Sequence, residues 1–304
     1  MGFAIEAQGV RKRFGRAVVL DGLDLAVPHG TVFALLGPNG AGKTTTIDIL
    51  TTLVRPDAGR ALVAGFDVVA QPIEVQRRIS LTGQSAAVDE VLTGVENLRM
   101  MGRLSGLAGA AARRRANELL DRFGLADAAG RRVATYSGGM RRRLDLALSL
   151  VVAAPVVFLD EPTTGLDTRS RQALWGVIRS LADDGTTVFL TTQYLEEADR
   201  LADRIAVLDR GRIAAEGTAD ELKSRVGGDV VELRDGDGVL LAELPTDGTV
   251  HGLRDAIDQL DRSAAAAARG VQVSVRRPSL DDVFLALTGG AAPAAPELET
   301  AARS

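Results

Sequence analysis

Residues 32–44 read VFALLGPNGAGKT, and this stretch decides the fold. Thr31 to Leu36 is an apolar run of strand length, Gly37-Pro38-Asn39-Gly40-Ala41-Gly42-Lys43-Thr44 fits the pattern G-x-x-x-x-G-K-[ST], and Thr44 to Leu53 has helical character. A strand, a glycine-rich turn and a helix in that order form a phosphate cradle. Glycines let backbone N–H groups wrap a phosphate chain, and the helix amino terminus adds positive potential. Lys43 is placed to reach the β- and γ-phosphates, Thr44 to ligate Mg²⁺, and Thr45 to complete the contact set at the start of the helix. Lys43 is one of only three lysines in the chain.

Two more buried strands emerge from the same pattern. Val156-Val157-Phe158-Leu159 runs into Asp160 and Glu161, so two adjacent carboxylates end an apolar segment. With the glycine loop, they suit phosphoryl transfer: Asp160 for the Mg²⁺ shell, Glu161 to polarise the attacking water. Thr187 to Leu190 is a β-branched and aromatic run that places Thr191, Thr192 and Gln193 at its carboxyl end, the edge where open α/β sheets bind ligands. Strand-like Ile5–Val10 and Val18–Val27, helices over 168–183 and 194–202, a hairpin around Arg210-Gly211 and a helical stretch from about 85 to 152 complete the pattern. The alternation predicts a mainly parallel sheet flanked by helices with a helical insertion.

Composition narrows the chemistry. The 304 residues are 46% hydrophobic and carry a net charge of −4, without the basic surplus of a dedicated nucleic-acid binder, so no nucleic-acid partner is expected. No cysteine is present and only two histidines, His29 and His251, which leaves carboxylates, amides, hydroxyls and backbone to do the work. The opening MGFAIEAQGVRKRFG lacks the continuous apolar core of a signal peptide, so a cytoplasmic location is expected. The longest apolar stretch, Leu146 to Leu159, is broken by Pro155 and falls short of the roughly 18–20 residues a membrane-spanning helix needs.

Tyr136-Ser137-Gly138-Gly139-Met140, about a hundred residues after the glycine loop and just before the Asp160-Glu161 pair, resembles the signature sequence of the ATP-binding cassette (ABC) ATPases. The resemblance covers about residues 4–222. It implies an α/β fold, a P-loop NTPase (RecA-like) ABC nucleotide-binding domain with a helical subdomain, and ATP with Mg²⁺ as ligands. It also implies site roles: Phe14 stacking on adenine, Gln84 linking Mg²⁺ and water to a membrane partner, and Asp167 crossing a dimer interface. Thr44, Gln84 and Asp160 would form the metal set, and Lys43, Glu161 and Gln193 the catalytic set. The dimer so implied is head-to-tail, with each ATP between the glycine loop of one copy and Ser137-Gly138-Gly139 of the other. Gln193 stands where most such ATPases carry a histidine; an amide can bond a γ-phosphate but does not titrate near neutral pH.

Gln193 followed by Tyr-Leu-Glu-Glu-Ala-Asp, Met140 in the signature, and Arg277-Pro278-Ser279-Leu280-Asp281-Asp282-Val283-Phe284 are similar to the daunorubicin/doxorubicin resistance branch. That branch implies a peripheral ATPase on the cytoplasmic side of the cell membrane. It would drive a separate multi-spanning permease that exports a hydrophobic drug, antibiotic or lipid. Two alternatives stand beside it: a soluble cassette ATPase acting on ribosome or DNA, and an importer ATPase. The run Arg141-Arg142-Arg143 reads as a solvated helix face that could also approach phosphate or lipid headgroups.

Past residue 225 the character changes. VVELRDGDGVLLAEL reads as a hairpin, HGLRDAIDQLDRS as a helix, VQVSVRR as a strand and SLDDVFLAL as a helix with Ser279 and Asp282 spaced as a capping box. The expected organisation is residues 1–225 as the nucleotide-binding domain, with its helical subdomain at about 85–152, then 226–290 as a small α+β domain. Residues 291–304, with almost nothing to bury, are expected to be a disordered tail.

Overall fold

The architecture grows from strands that offer water no polar face. In a computed structural model of the chain, residues 2–83, 88–262 and 271–288 are described. Gln84 and the expected tail over 291–304 lie outside them. The chain divides after Glu216 into two compact units.

The first unit opens with a hairpin of β1 (Ile5–Phe14) and β2 (Ala17–Val27), whose turn pairs Phe14 with Ala17. β3 (Val32–Leu36) is buried throughout and runs through the glycine loop into α1 (Lys43–Leu50). β4 (Ala58–Val63), β5 (Phe66–Asp67), α2 (Pro72–Gln76) and β6 (Ile79–Thr82) come next, in a region where the sequence pattern predicts no elements. The helical stretch resolves into α3 (Gly94–Leu104), α4 (Gly109–Arg122) and α5 (Gly138–Ser149). Then β7 (Val156–Asp160), α6 (Thr168–Asp183), β8 (Thr187–Thr192), α7 (Leu195–Leu201), β9 (Arg204–Asp209) and β10 (Arg212–Gly217) alternate as expected.

These strands form two sheets. One is antiparallel, in the order β2-β1-β4-β5; the other has six strands in the order β10-β9-β3-β8-β7-β6, parallel from β9 to β6. Register explains the core: Phe33 pairs with Phe189 and Phe158 with Phe189, so three rings sit side by side on one face. Phe33 and Phe189 stack with centroids 5.6 Å apart, and Phe158 tilts against Phe189 at the same distance. All three are fully buried, worth about 1.5–3 kcal/mol each by area removed from water. The same apolar cluster takes in Ile5, Leu20, Leu25 and Ile47, which ties the antiparallel sheet and α1 to the parallel one. Parallel register also brings Asp160 beside Thr191 and Leu36 beside Thr192, so the carboxyl ends of β3, β7 and β8 meet at one edge.

The second unit begins earlier than the expected residue 226. α8 (Ala219–Ser224), closed by a Thr218/Glu221 capping box, packs with α10 (Leu280–Thr288) and so belongs to the second unit. A hairpin of β11 (Asp229–Arg234) and β12 (Leu240–Thr246), the helix α9 (Val250–Asp261) and the strand β13 (Gln272–Arg276) form the α+β arrangement read from the sequence, with strand order β12-β11-β13. Val231 and Leu233 of β11 pack on Ala256 and Leu260 of α9, spaced four apart on one helix face. The Ser279/Asp282 box forms as spaced: Asp282 accepts the Ser279 N–H at 2.8 Å and donates its own to the Ser279 hydroxyl at 3.2 Å.

Candidate functional site

The glycine loop can fold as it does only because Gly42 has no side chain. Its φ is +110°, and a Cβ there would press on Leu20 and the Val19 carbonyl of β2. The same contact brings the β1–β2 hairpin, with Phe14 near its tip, against the loop. Phe14 is 52% exposed, with the Lys12 ammonium 5.3 Å from its ring centroid. A ring left this open beside a phosphate cradle is available for stacking.

Lys43 is the first residue of α1, and its side chain folds back into the loop. Its Nζ donates to the carbonyls of Gly37 at 2.8 Å and Pro38 at 3.2 Å and pairs with Glu161 Oε1 at 3.2 Å. Asn39 and Gly40 are exposed, Ala41 is buried, and Thr44 and Thr45 face outward or half outward from the helix start.

At the end of β7, Asp160 is buried and held from two sides. Thr44 Oγ1 donates to Oδ2 at 3.0 Å and Thr191 Oγ1 to Oδ1 at 2.5 Å. The next residue, Glu161, has φ +46°, a left-handed conformation that costs a non-glycine residue on the order of 1 kcal/mol. Its N–H is anchored on Thr191, at 3.2 Å to the carbonyl and 3.1 Å to the hydroxyl. The turn sends its carboxylate toward Lys43 on one side, while the Thr164 hydroxyl donates to Oε2 at 3.3 Å on the other. Gln193 directly follows β8, half-buried, where the Tyr194 N–H bonds back to Thr192 Oγ1 at 2.9 Å and α7 starts two residues on.

Ser137 caps α5, its hydroxyl accepting the Met140 N–H at 3.3 Å; Ser137 and Gly138 are exposed and present the free N–H groups of the helix start. Gly139 is buried and packs so closely on α6 that a Cβ would overlap the Ser170 side chain. Asp167 caps α6, accepting the Ser170 N–H at 2.8 Å and its hydroxyl at 2.9 Å. Those hydrogen bonds hold the exposed carboxyl below the usual aspartate range. Gly138, Arg142, Glu161, Thr164 and Gly165 line one cleft.

Three residues of this region were not singled out for it by their sequence pattern. Thr191 bridges both carboxylate positions, and its only signal was a hydroxyl at the end of a buried strand. Arg142 and Asp145 correct the expectation for the arginine run. Arg142 is largely buried, donating to the carbonyls of Gly83, Asp160 and Pro162 and to Asp145, while Arg143 donates to the Phe123 carbonyl at 2.9 Å. Arg141 pairs with exposed Glu90, and Arg143 also reaches the carbonyl of exposed Gly124 at 3.4 Å. The signal was there in Asp145, an acid inside the apolar Leu144–Leu148, since buried aspartates are nearly always paired.

The edge therefore joins one ammonium, a row of backbone donors, a hydroxyl–carboxylate pair of hard oxygens and a second carboxylate aimed at the ammonium. That set suits a polyphosphate and its hydrolysis.

Known proteins carry the same pattern. The family profile described as ABC transporter matches residues 20–164. A daunorubicin resistance ATP-binding protein of Streptomyces coeruleorubidus (DrrA2) is 55% identical over 95% of this chain and 96% of its own length. A daunorubicin/doxorubicin resistance ATP-binding protein (DrrA) of Streptomyces peucetius is 54% identical over 94% and 92% respectively. Among solved structures, an ATP-binding subunit of an ABC transporter superposes with a TM-score of 0.64 at 29% identity, covering 73% of this chain and 92% of that one.

Proposed function

The chain belongs to the ABC transporter ATP-binding proteins of the daunorubicin/doxorubicin resistance group, and on that premise we propose that it energises a separate multi-spanning permease that exports a hydrophobic drug, antibiotic or lipid. It is an ATPase, and the observation that carries the catalytic reading is the Glu161 carboxylate, turned by its left-handed backbone to within 3.2 Å of the Lys43 ammonium.

ATP enters with adenine against Phe14 and its phosphates along the N–H groups of residues 37–45. The β- and γ-phosphates take Lys43 away from the Gly37 and Pro38 carbonyls and from Glu161. Exchange of that ion pair frees the Glu161 carboxylate to accept a proton from water, with Thr164 left to orient it. Glu161 is therefore held inactive by Lys43 until nucleotide arrives. The Thr44 hydroxyl and buried Asp160 carboxylate fit Mg²⁺, which favours hard oxygens from one carboxylate plus substrate phosphates. When bound, the ion neutralises charge that develops on the phosphates. Gln193, at the same edge, donates its amide N–H to the γ-phosphate without adding a titrating group.

The exposed N–H groups at Ser137-Gly138 of a second copy would meet the γ-phosphate, and Asp167 of each copy would face the other across the joint. A head-to-tail dimer with two ATP molecules is the result. Gln84 and α3 would engage the permease: Leu104 is 75% exposed and Met100 40%, and these apolar side chains line one groove with Arg99 and Arg103. Among the described residues no helix is long and apolar enough to cross a membrane. The permease would supply the path, with this chain at work on the cytoplasmic surface of the membrane.

Affinity capture of Glu161→Gln protein from its host's membranes with ATP tests this reading, because slowed hydrolysis prolongs the ATP-bound dimer on its partner. Recovery of a multi-spanning membrane protein is expected. Recovery of ribosomal or DNA-associated proteins alone would overturn it.

A further inference from the structure

Arg142 is the arginine of α5 whose guanidinium reaches the turn at Glu161. Its side chain is 11% exposed, and Asp145, one turn on, is 4% exposed. The fork reaches two separate segments of backbone. Nε donates to the Pro162 carbonyl at 2.9 Å and Nη2 to the Asp160 carbonyl at 3.2 Å, so the grip falls on both sides of Glu161; Nη1 donates to the Gly83 carbonyl at 2.7 Å. Burial lowers its pKa from the usual arginine value, opposed by Asp145, Asp160 and Glu197, yet an arginine keeps its proton throughout the working range.

Position explains what that grip does. Glu161 sits at φ +46°, a conformation that an L residue keeps only when its neighbours impose it. Thr191 fixes the turn through the Glu161 N–H, and Arg142 fixes it through the carbonyls immediately before and after. Gly83 is the residue that precedes Gln84. The helix that begins at Ser137, the turn that aims the carboxylate and the segment leading to Gln84 thus share one buried cation.

We infer that Arg142 is a positioning residue for ATP hydrolysis, which sets the direction of the Glu161 carboxylate and ties that setting to the backbone at Gly83 and to the start of α5. Its hydrogen bonds go to backbone carbonyls and to Asp145. Its planar fork is needed because four carbonyls from two segments, those of Gly83, Asp160, Glu161 and Pro162, must be met at once; a lysine ammonium is a point donor on a flexible stem and cannot span them. The inference rests on the assignment of Glu161 as the residue that activates water.

The test measures ATP turnover and, separately, equilibrium binding of a fluorescent ATP analogue by full-length wild type, Arg142→Lys, Arg142→Gln and Glu161→Gln. For both Arg142 variants turnover is expected to fall about 10- to 100-fold, the usual consequence of a catalytic group displaced by an ångström. Binding should stay within about twofold of wild type, a split that marks an interaction serving the chemical step and not the ground state. A general loss of packing would instead weaken binding and turnover together, and that result would overturn the inference. So would Arg142→Lys at wild-type turnover while Glu161→Gln is inactive, since charge alone would then suffice. Glu161→Gln that hydrolyses ATP at the wild-type rate would remove the underlying assignment and this inference with it.

Discussion

Replacing Thr191 by valine removes one hydroxyl from the centre of the site and almost nothing else. The residue is fully buried in β8, and valine has its shape, so no cavity opens. Two contacts are lost: the donation to Asp160 Oδ1 at 2.5 Å and the acceptance of the Glu161 N–H at 3.1 Å. The second is backed up, because the same N–H also reaches the Thr191 carbonyl at 3.2 Å. The first is not replaceable by a methyl group. A hydrogen bond to a charged acceptor is worth about 1.5–3 kcal/mol, and a valine cannot offer it. With about 2 kcal/mol removed from a unit of this size, the melting temperature should drop roughly 4–8 °C at 2–4 °C per kcal/mol. Asp160, released on one side, should also hold Mg²⁺ less well. The assay is a thermal melt with and without Mg·ATP, alongside Thr191→Ser, which keeps the hydroxyl. Thr191→Val melting within about 1 °C of wild type would refute the bridge, because no ordinary repacking returns a lost charged hydrogen bond.

Two further outcomes separate residues that lie close in sequence. Gly139→Ala should cost about 1–3 kcal/mol of stability, since the new methyl overlaps Ser170, whereas Gly138→Ala meets nothing within 4 Å and should melt like wild type; equal melting temperatures for the two would contradict the packing of α5 on α6. Glu197 is buried under Trp175, which donates Nε1–H to it at 3.1 Å, and burial raises its pKa above the usual glutamate range. The native state therefore holds that proton more tightly than the unfolded chain. Its contribution is whole below the unfolded value and is lost as pH rises through the folded one. Glu197→Gln keeps an acceptor for Trp175 and should gain on wild type with rising pH; melting curves that stay parallel across pH would show that the residue does not titrate.

Much of the first unit was readable because its chemistry is local. Gly37 to Thr44 names a loop by glycine spacing alone, and Val156–Asp160 and Thr187–Thr192 announce themselves as strands buried on both faces. β4 and β6 carry no such signal. Their Ala58-Gly59-Arg60 and Ser80 are poor strand formers in isolation, and they become strands because β1 and β7 supply the partners for their backbone groups. The second unit's boundary was missed for a related reason, since α8 looks like the end of the preceding hairpin until α10 packs on it.

By itself the sequence determined the phosphate loop, the two carboxylates at a strand's end and the alternation that makes a parallel sheet, because each depends on residue type and on spacing over a few positions. Only the tertiary structure decided which groups touch. It set Thr191 beside Asp160, turned Arg142 inward through three polar letters that read as surface, and brought Glu161 back onto Lys43. Those contacts join residues 18 to 118 positions apart, and no local pattern encodes them: they arise when burial of the Phe33, Phe158 and Phe189 faces fixes the register of three strands and so brings their carboxyl ends together.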